Sequence, residues 1–196
     1  MSSHHEPARD AQAHLLRSPL PTPYWGSQTG SAFTVRAVTI VKATPTAVLD
    51  SLLDTSSYPA WNNFVPTVDL PDPSSGRLAA DVLFTEHVDM FGQGKPSGLV
   101  KMKLLMTTLK EKDEHNGTKS FEVVWLGKAY PDWALRSERV HAISCDRQGV
   151  TTYDVWETFS GPLAVFVRLF VGGVLVKRFK QWNEELRDHT EARTHA

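Results

Sequence analysis

The sequence predicts an α+β domain in which an antiparallel sheet curves around a long C-terminal helix and encloses an apolar cavity of ligand size. Three observations carry this. A β-branched opening at residues 33–42 is followed at once by a helix start, Thr44-Pro45. A succession of strand-like segments, separated by turn sequences, then fills residues 64–159. From Gly161-Pro162 to about residue 191 the pattern is helical, apolar almost all round in its first half and amphipathic in its second. Such a helix has to pack across the concave face of the sheet, and curvature leaves space between the two.

Each element follows from its residues. Residues 1–31 mix charges with Pro19, Pro21, Pro23, Gly26 and Gly30 and show little periodicity. They read as a flexible extension from which Leu15, Leu16, Tyr24 and Trp25 can dock, with the folded domain over 32–192. Residues 33–42 (FTVRAVTIVK) have strand composition and length. Thr44 is a hydroxyl N-cap, and Pro45 takes the first helical position, where its missing N–H costs nothing. Val48, Leu49, Leu52 and Leu53 make the apolar stripe of a helix ending near Asp54, with Tyr58-Pro59 as a break. A second short turn or helix holds Trp61, Asn62 and Asn63.

Strands are expected at 64–70, 78–89, 99–110, 121–126, 135–145 and 151–159. Alternation puts Val82, Phe84, Glu86 and Val88 on one face of the second of these. In the third, Val100, Met102, Leu104 and Met106 stand opposite Lys101 and Lys103. Asn116-Gly117 is a hairpin turn signal, because both residues tolerate positive φ. In the long helix Leu175, Phe179, Trp182 and Leu186 follow helical spacing, while the apolar first half, interrupted by Arg168 and Gly172-Gly173, needs burial on more than one side.

Composition excludes some functions. The chain has 196 residues, 41% of them hydrophobic and 22% charged, which suits one domain with a substantial core. With a formal charge of -1 and a pI near 6.7, no basic field recruits nucleic acid. Cys145 is the single cysteine, so no internal disulfide forms; it reads as a small strand residue in a reducing compartment. Glu6, Arg9 and Asp10 interrupt any apolar signal region, and cytoplasmic localisation is the expectation. The apolar run 162–176 contains Arg168 and falls short of the roughly 20 residues that span a bilayer, so no stable membrane insertion is expected. Nothing in the sequence sets an oligomeric state.

The order of short motifs is familiar. Val41-x-Ala43-x-Pro45, followed by Val48, Leu52, Asp54, Tyr58 and Trp61-Asn62-x-Phe64, resembles the opening of the START/Bet v 1-like (SRPBCC) superfamily, and most of all its polyketide cyclase/dehydrase-type branch. Trp125-x-Gly127, His141-x-Ile143, Thr152, the run from Trp156 through Leu163, and Trp182-Asn183 followed by Leu186 agree with it. The resemblance covers residues 33–191. It implies a helix-grip fold, with a curved antiparallel sheet of about seven strands around the last helix and two short helices after the first strand. It also implies a small hydrophobic ligand, with no cofactor. Members bind lipids, sterols, polyketides, quinones or plant metabolites, and some catalyse cyclisation, dehydration or condensation, so the fold fixes the container and not the chemistry.

Strand parity then selects candidates. Phe159, Glu157, Val155 and Tyr153 share one face, as do His141, Ile143 and Leu135, and as do Trp125, Val123 and Phe121. Glu86, Glu157, His141 and Tyr153 are thus polar exceptions on an inward apolar face. A carboxylate there has its pKa raised by desolvation, and a nearby histidine can share its proton. Glu157, His141 and Tyr153 are the candidate acid–base groups; Glu86, Phe84, Met102, Met106, Trp125 and Trp133 are the candidate ligand wall, with Trp133 placed on a rim loop at 130–133. The structural alternative is that Glu157 merely ties His141 or a strand end in place. Other signals are weak. Gly92-x-Gly94 is a hairpin loop and not a dinucleotide fingerprint; Ser160 lies outside any nucleophile elbow; His4, His5, His87, His115 and His189 make no metal motif.

Three functions compete. The first is a protein that holds a polyketide- or lipid-like metabolite. The second is a cyclase or dehydratase, a lyase or isomerase of secondary metabolism working by general acid–base catalysis. The third is a lipid or quinone carrier, prompted by the apolar segment 163–176.

Overall fold

The structure is a computed structural model that describes residues 10–29, 32–113 and 119–194. The Asn116-Gly117 turn, His4, His5 and His115 lie outside the described residues. Eight strands form one antiparallel sheet: β1 (Gln12–Leu16), β2 (Phe33–Val41), β3 (Thr67–Asp69), β4 (Val82–Val88), β5 (Val100–Asp113), β6 (Lys119–Gly127), β7 (Arg136–Cys145) and β8 (Thr151–Ser160). Their spatial order is β1-β2-β8-β7-β6-β5-β4-β3. Between β2 and β3 lie α1 (Pro45–Leu53), a 3₁₀ turn at Thr55–Ser57 and α2 (Tyr58–Trp61). Thr44 caps α1 as its sequence predicts, its Oγ1 accepting from Ala47 N at 3.2 Å. Tyr58-Pro59 does not simply break the chain: proline at the first turn starts α2.

The C-terminal helix is 31 residues long. It comprises α3 (Ala164–Phe166), a π-helical turn at Val167–Val171 and α4 (Gly172–Thr194). Leu175, Phe179, Trp182 and Leu186 all turn inward and meet the sheet and α1. The rest of the core comes from the inward residues of each strand, including Val35, Ala37, Phe84, Leu104, Met106, Trp125, Ile143, Tyr153 and Val155.

Two expectations fail, each for a physical reason. The chain before Phe33 is not merely a flexible extension. Residues Gln12–Leu16 add an edge strand to β2, pairing Leu15 with Val35. Residues 20–28 then lie on the face opposite the helix, where Tyr24 N and Trp25 N donate to Glu138 Oε1 and Oε2 at 2.8 and 2.9 Å, and Leu20 N donates to Thr34 Oγ1 at 2.9 Å. A five-residue strand with mixed polarity has no local signature; its pairing comes from a neighbour far along the chain.

The second failure concerns the apolar start of the helix. It is not sealed on several sides: Phe166, Leu169 and Phe170 are 58%, 67% and 75% exposed. One side does pack closely, since a Cβ on Gly172 would stand 2.7 Å from Leu15 Cδ1. The opposite side faces outward.

Candidate functional site

Antiparallel register carries one row of side chains across the concave face. Met106 pairs with Trp125, Trp125 with Arg139, Arg139 with Glu157 and Glu157 with Val35. Glu86 enters from β4, opposite Met102. At the centre of the row stands Arg139, buried and held between two carboxylates: its Nε donates to Glu157 Oε2 at 3.0 Å and its Nη1 to Glu86 Oε2 at 3.4 Å. The guanidinium also lies 5.4 Å from the centre of the Phe179 ring and 5.7 Å from that of Trp125. Arg139 was absent from the candidates drawn from sequence, although its parity with His141 places it on the same inward face. The general rarity of buried arginine hid it.

A second network adjoins this one. His141 Nδ1 lies 2.7 Å from Tyr153 Oη, and Tyr153 Oη accepts from Trp182 Nε1 at 2.8 Å. Because Trp182 Nε1 can only donate, Nδ1 is the one acceptor among the described residues for the tyrosine's own O–H, which donates to it. The imidazole proton then rests on Nε2. Burial, reinforced by the Arg139 charge, holds the His141 pKa well below its usual value, so the ring is neutral.

Glu86 shows the opposite effect. Burial pushes its pKa up and Glu157 adds repulsion, against the attraction of Arg139. The Arg139 guanidinium is opposed by its own burial, yet Glu157 and Glu86 together raise its pKa above the usual value. Burial likewise raises Tyr153, which stays a neutral donor.

Of the predicted residues, Glu157, His141, Tyr153, Glu86, Phe84, Met106 and Trp125 are buried in this cluster, and Met102 packs against it from its half-buried position. Phe84 meets Trp125 edge-on, with ring centres 5.4 Å apart, and Trp125 tilts over His141 at 4.1 Å. Trp133 is not brought in. It is 76% exposed on the β6–β7 loop, because that loop turns outward beyond the sheet end. Trp182 and the buried Asn183, which the sequence places on the closing helix without a site role, complete the helix side.

Among the described residues, Phe64, Arg139, Val155, Phe179 and Trp182 line a void of about 10 Å³, room for one water. Polar capacity nevertheless remains unused. Among the described residues, Glu86 Oε1, Trp125 Nε1, His141 Nε2 and both Asn183 side-chain atoms are buried without a hydrogen-bond partner. No cluster of three His, Cys, Asp or Glu side chains able to hold a metal occurs among the described residues.

No family model matches the chain. Oxopyrrolidines biosynthesis cluster protein O of Penicillium oxalicum is 30% identical over 164 residues, which make up 75% of this chain and 79% of that protein. Among solved structures, a START superfamily protein from Mycobacterium smegmatis aligns with a TM-score of 0.51 at 16% identity, over 83% of this chain and 97% of that one. The di-domain ARO/CYC BexL of the BE-7585A biosynthetic pathway aligns with a TM-score of 0.55 at 13% identity, over 84% of this chain and 50% of that one. Register and grip helix give the chain the helix-grip fold of these structures, and its sequence places it in one family with oxopyrrolidines biosynthesis cluster protein O.

Proposed function

We propose that the protein binds a small hydrophobic metabolite bearing a carbonyl or enol oxygen, and seats that oxygen among the buried donors of the concave face. The observation that carries the reading is the kind of atom left unpaired. His141 Nε2 carries a proton, Trp125 Nε1 is always a donor, and Glu86 Oε1 lies buried in the same centre, its pKa raised by burial. Two buried donors without acceptors are costly at about 1–3 kcal/mol each, and an acceptor oxygen removes that cost. The surrounding Phe84, Met106, Phe179 and Trp182 suit an apolar body. Met102 and Met106 supply an adaptable wall around a guest. The relative's place in an oxopyrrolidine biosynthesis cluster supports a metabolite as that guest.

A second reading is catalysis, favoured by one observation: a carboxyl group and a neutral imidazole stand in one apolar centre with pKa values pushed in opposite directions. Donors aimed at a carbonyl oxygen stabilise an enolate, and the Glu157 carboxylate, fixed by Arg139, is the group to take the adjacent proton. The outcome is cyclisation or dehydration of a polyketide-type intermediate, the chemistry of the cyclase-like branch.

Incubating the protein with metabolite extracts and identifying retained compounds by mass spectrometry tests the binding reading; recovery of only carbonyl-free lipids counts against it. With the compound in hand, Glu157→Gln separates the two readings. Retention without turnover supports catalysis, whereas a compound that wild type never transforms leaves the protein a binder.

A further inference from the structure

One face of the C-terminal helix is exposed and has no neighbour among the described residues. Phe166, Leu169, Phe170, Gly173, Lys177 and Lys180 recur at helical spacing and are all exposed. The stripe is apolar over the first turns, where the Phe166 and Phe170 rings stack with centres 6.5 Å apart, and cationic over the next two. Residues 161–183 contain Arg168, Lys177, Arg178 and Lys180 and no acidic residue, in a chain whose overall charge is -1. Arg168 and Lys177 have no acidic partner among the described residues, while Lys180 reaches Glu184 only at 3.6 Å.

Two loops at the same end of the sheet extend the face. Leu163 N donates to Ala134 O at 3.1 Å, which sets the loop carrying Tyr130 and Trp133 beside the helix start. Arg178 Nε donates to Met90 O at 3.1 Å and ties down the loop carrying Phe91. Phe91, Tyr130 and Trp133 are 62%, 51% and 76% exposed. Leaving six large apolar side chains exposed at one end of a monomer marks an interaction surface.

We propose that this end docks reversibly on an anionic lipid surface, with Phe166, Leu169 and Phe170 in the headgroup–acyl boundary and Lys177 and Lys180 against lipid phosphates. Charge selects the occupant. A second copy would bring basic stripe against basic stripe, whereas an anionic membrane complements it. The gradient along the helix, apolar tip then lysines, is the pattern of an interfacial helix. The π-helical turn at Val167–Val171 lies under the tip and widens the helix there. No helix among the described residues is long and apolar enough to cross a membrane, so the contact is peripheral.

The test is flotation with vesicles of phosphatidylcholine containing about 30 mol% phosphatidylserine, beside vesicles of phosphatidylcholine alone. Wild type floats with the anionic vesicles and is released by high salt. Lys177→Glu/Lys180→Glu weakens binding roughly twenty-fold or more, at about five-fold per lysine, and Phe166→Ser/Phe170→Ser weakens it at least about ten-fold. Both variants alter exposed side chains and keep the wild-type unfolding temperature. Absence of flotation, or equal flotation of wild type and either variant, overturns the proposal. A wild-type dimer dispersed by Phe166→Ser/Phe170→Ser, without vesicle binding, assigns the face to a second copy instead and also overturns it. Glu86→Gln, which touches only the interior, floats normally, so this result stands apart from the ligand reading.

Discussion

Replacing Arg139 by methionine tests the buried centre as a physical object. Arg139 is 8% exposed, Glu157 is 4% exposed and Glu86 is fully buried. Two ion pairs, at 3.0 and 3.4 Å, and two ring faces hold it. Methionine fills most of the volume and leaves two buried carboxyl groups without their cation. Loss of one partner from a buried ion pair costs about 3–5 kcal/mol, a large share of the roughly 5–15 kcal/mol that holds a domain folded. Urea unfolding followed by tryptophan fluorescence reads this directly, and the melting temperature falls by roughly 10 °C. Replacing all three members, Glu86→Leu/Arg139→Met/Glu157→Leu, recovers most of the loss, because an apolar cluster carries no desolvation penalty. A single variant within about 1 kcal/mol of wild type, or a triple variant as unstable as the single, would refute the ion-pair account.

Further outcomes follow from the same coordinates. The His141 pKa is lowered from 6.5 by burial and by Arg139, so the unfolded chain takes up a proton that the folded one resists. Stability from this group falls as pH drops below about 6.5, by up to about 1.4 kcal/mol per unit. The Glu86 pKa is raised from 4.5 chiefly by burial, so its contribution falls as pH rises above about 4.5. Between these values the two slopes oppose: urea midpoints of His141→Gln decline with rising pH, those of Glu86→Gln climb, and parallel curves would contradict both assignments. Glu138→Ala frees the amides of Tyr24 and Trp25 and costs about 3 kcal/mol in thermal unfolding; no change would mean that residues 20–28 contribute nothing to the fold. Gly161→Ala is destabilising by about 1–3 kcal/mol, since φ there is 97° and a Cβ would stand 2.9 Å from Ala134 O.

Much of the architecture was legible because its signals are local. Thr44-Pro45 caps a helix by its own chemistry, and period-two alternation assigned Glu86, Trp125, His141, Tyr153 and Glu157 to the inward face. Strand parity chooses a face, and here the face was right. Partners were not legible, because they depend on register. Only pairing across three strands shows that Arg139 meets Glu157 and Glu86, and that His141 binds Tyr153 and not a carboxylate. The size of the cavity was not legible for a related reason: the sequence shows which side chains face inward, while the space between them depends on how Phe64, Phe179 and Trp182 interlock. The edge strand Gln12–Leu16 escaped because its stability lies in β2 and not in its own residues.

The central claim is that the buried donors await an acceptor oxygen. Titrating the protein with benzoylacetone, an aromatic β-diketone, and with butylbenzene, its hydrocarbon counterpart, while following tryptophan fluorescence, puts that claim to the test. The diketone should bind at least about ten-fold more tightly, and the difference should shrink in Glu86→Leu/His141→Leu. Equal affinity for the two compounds in wild type, or an undiminished preference in the double variant, would contradict the account.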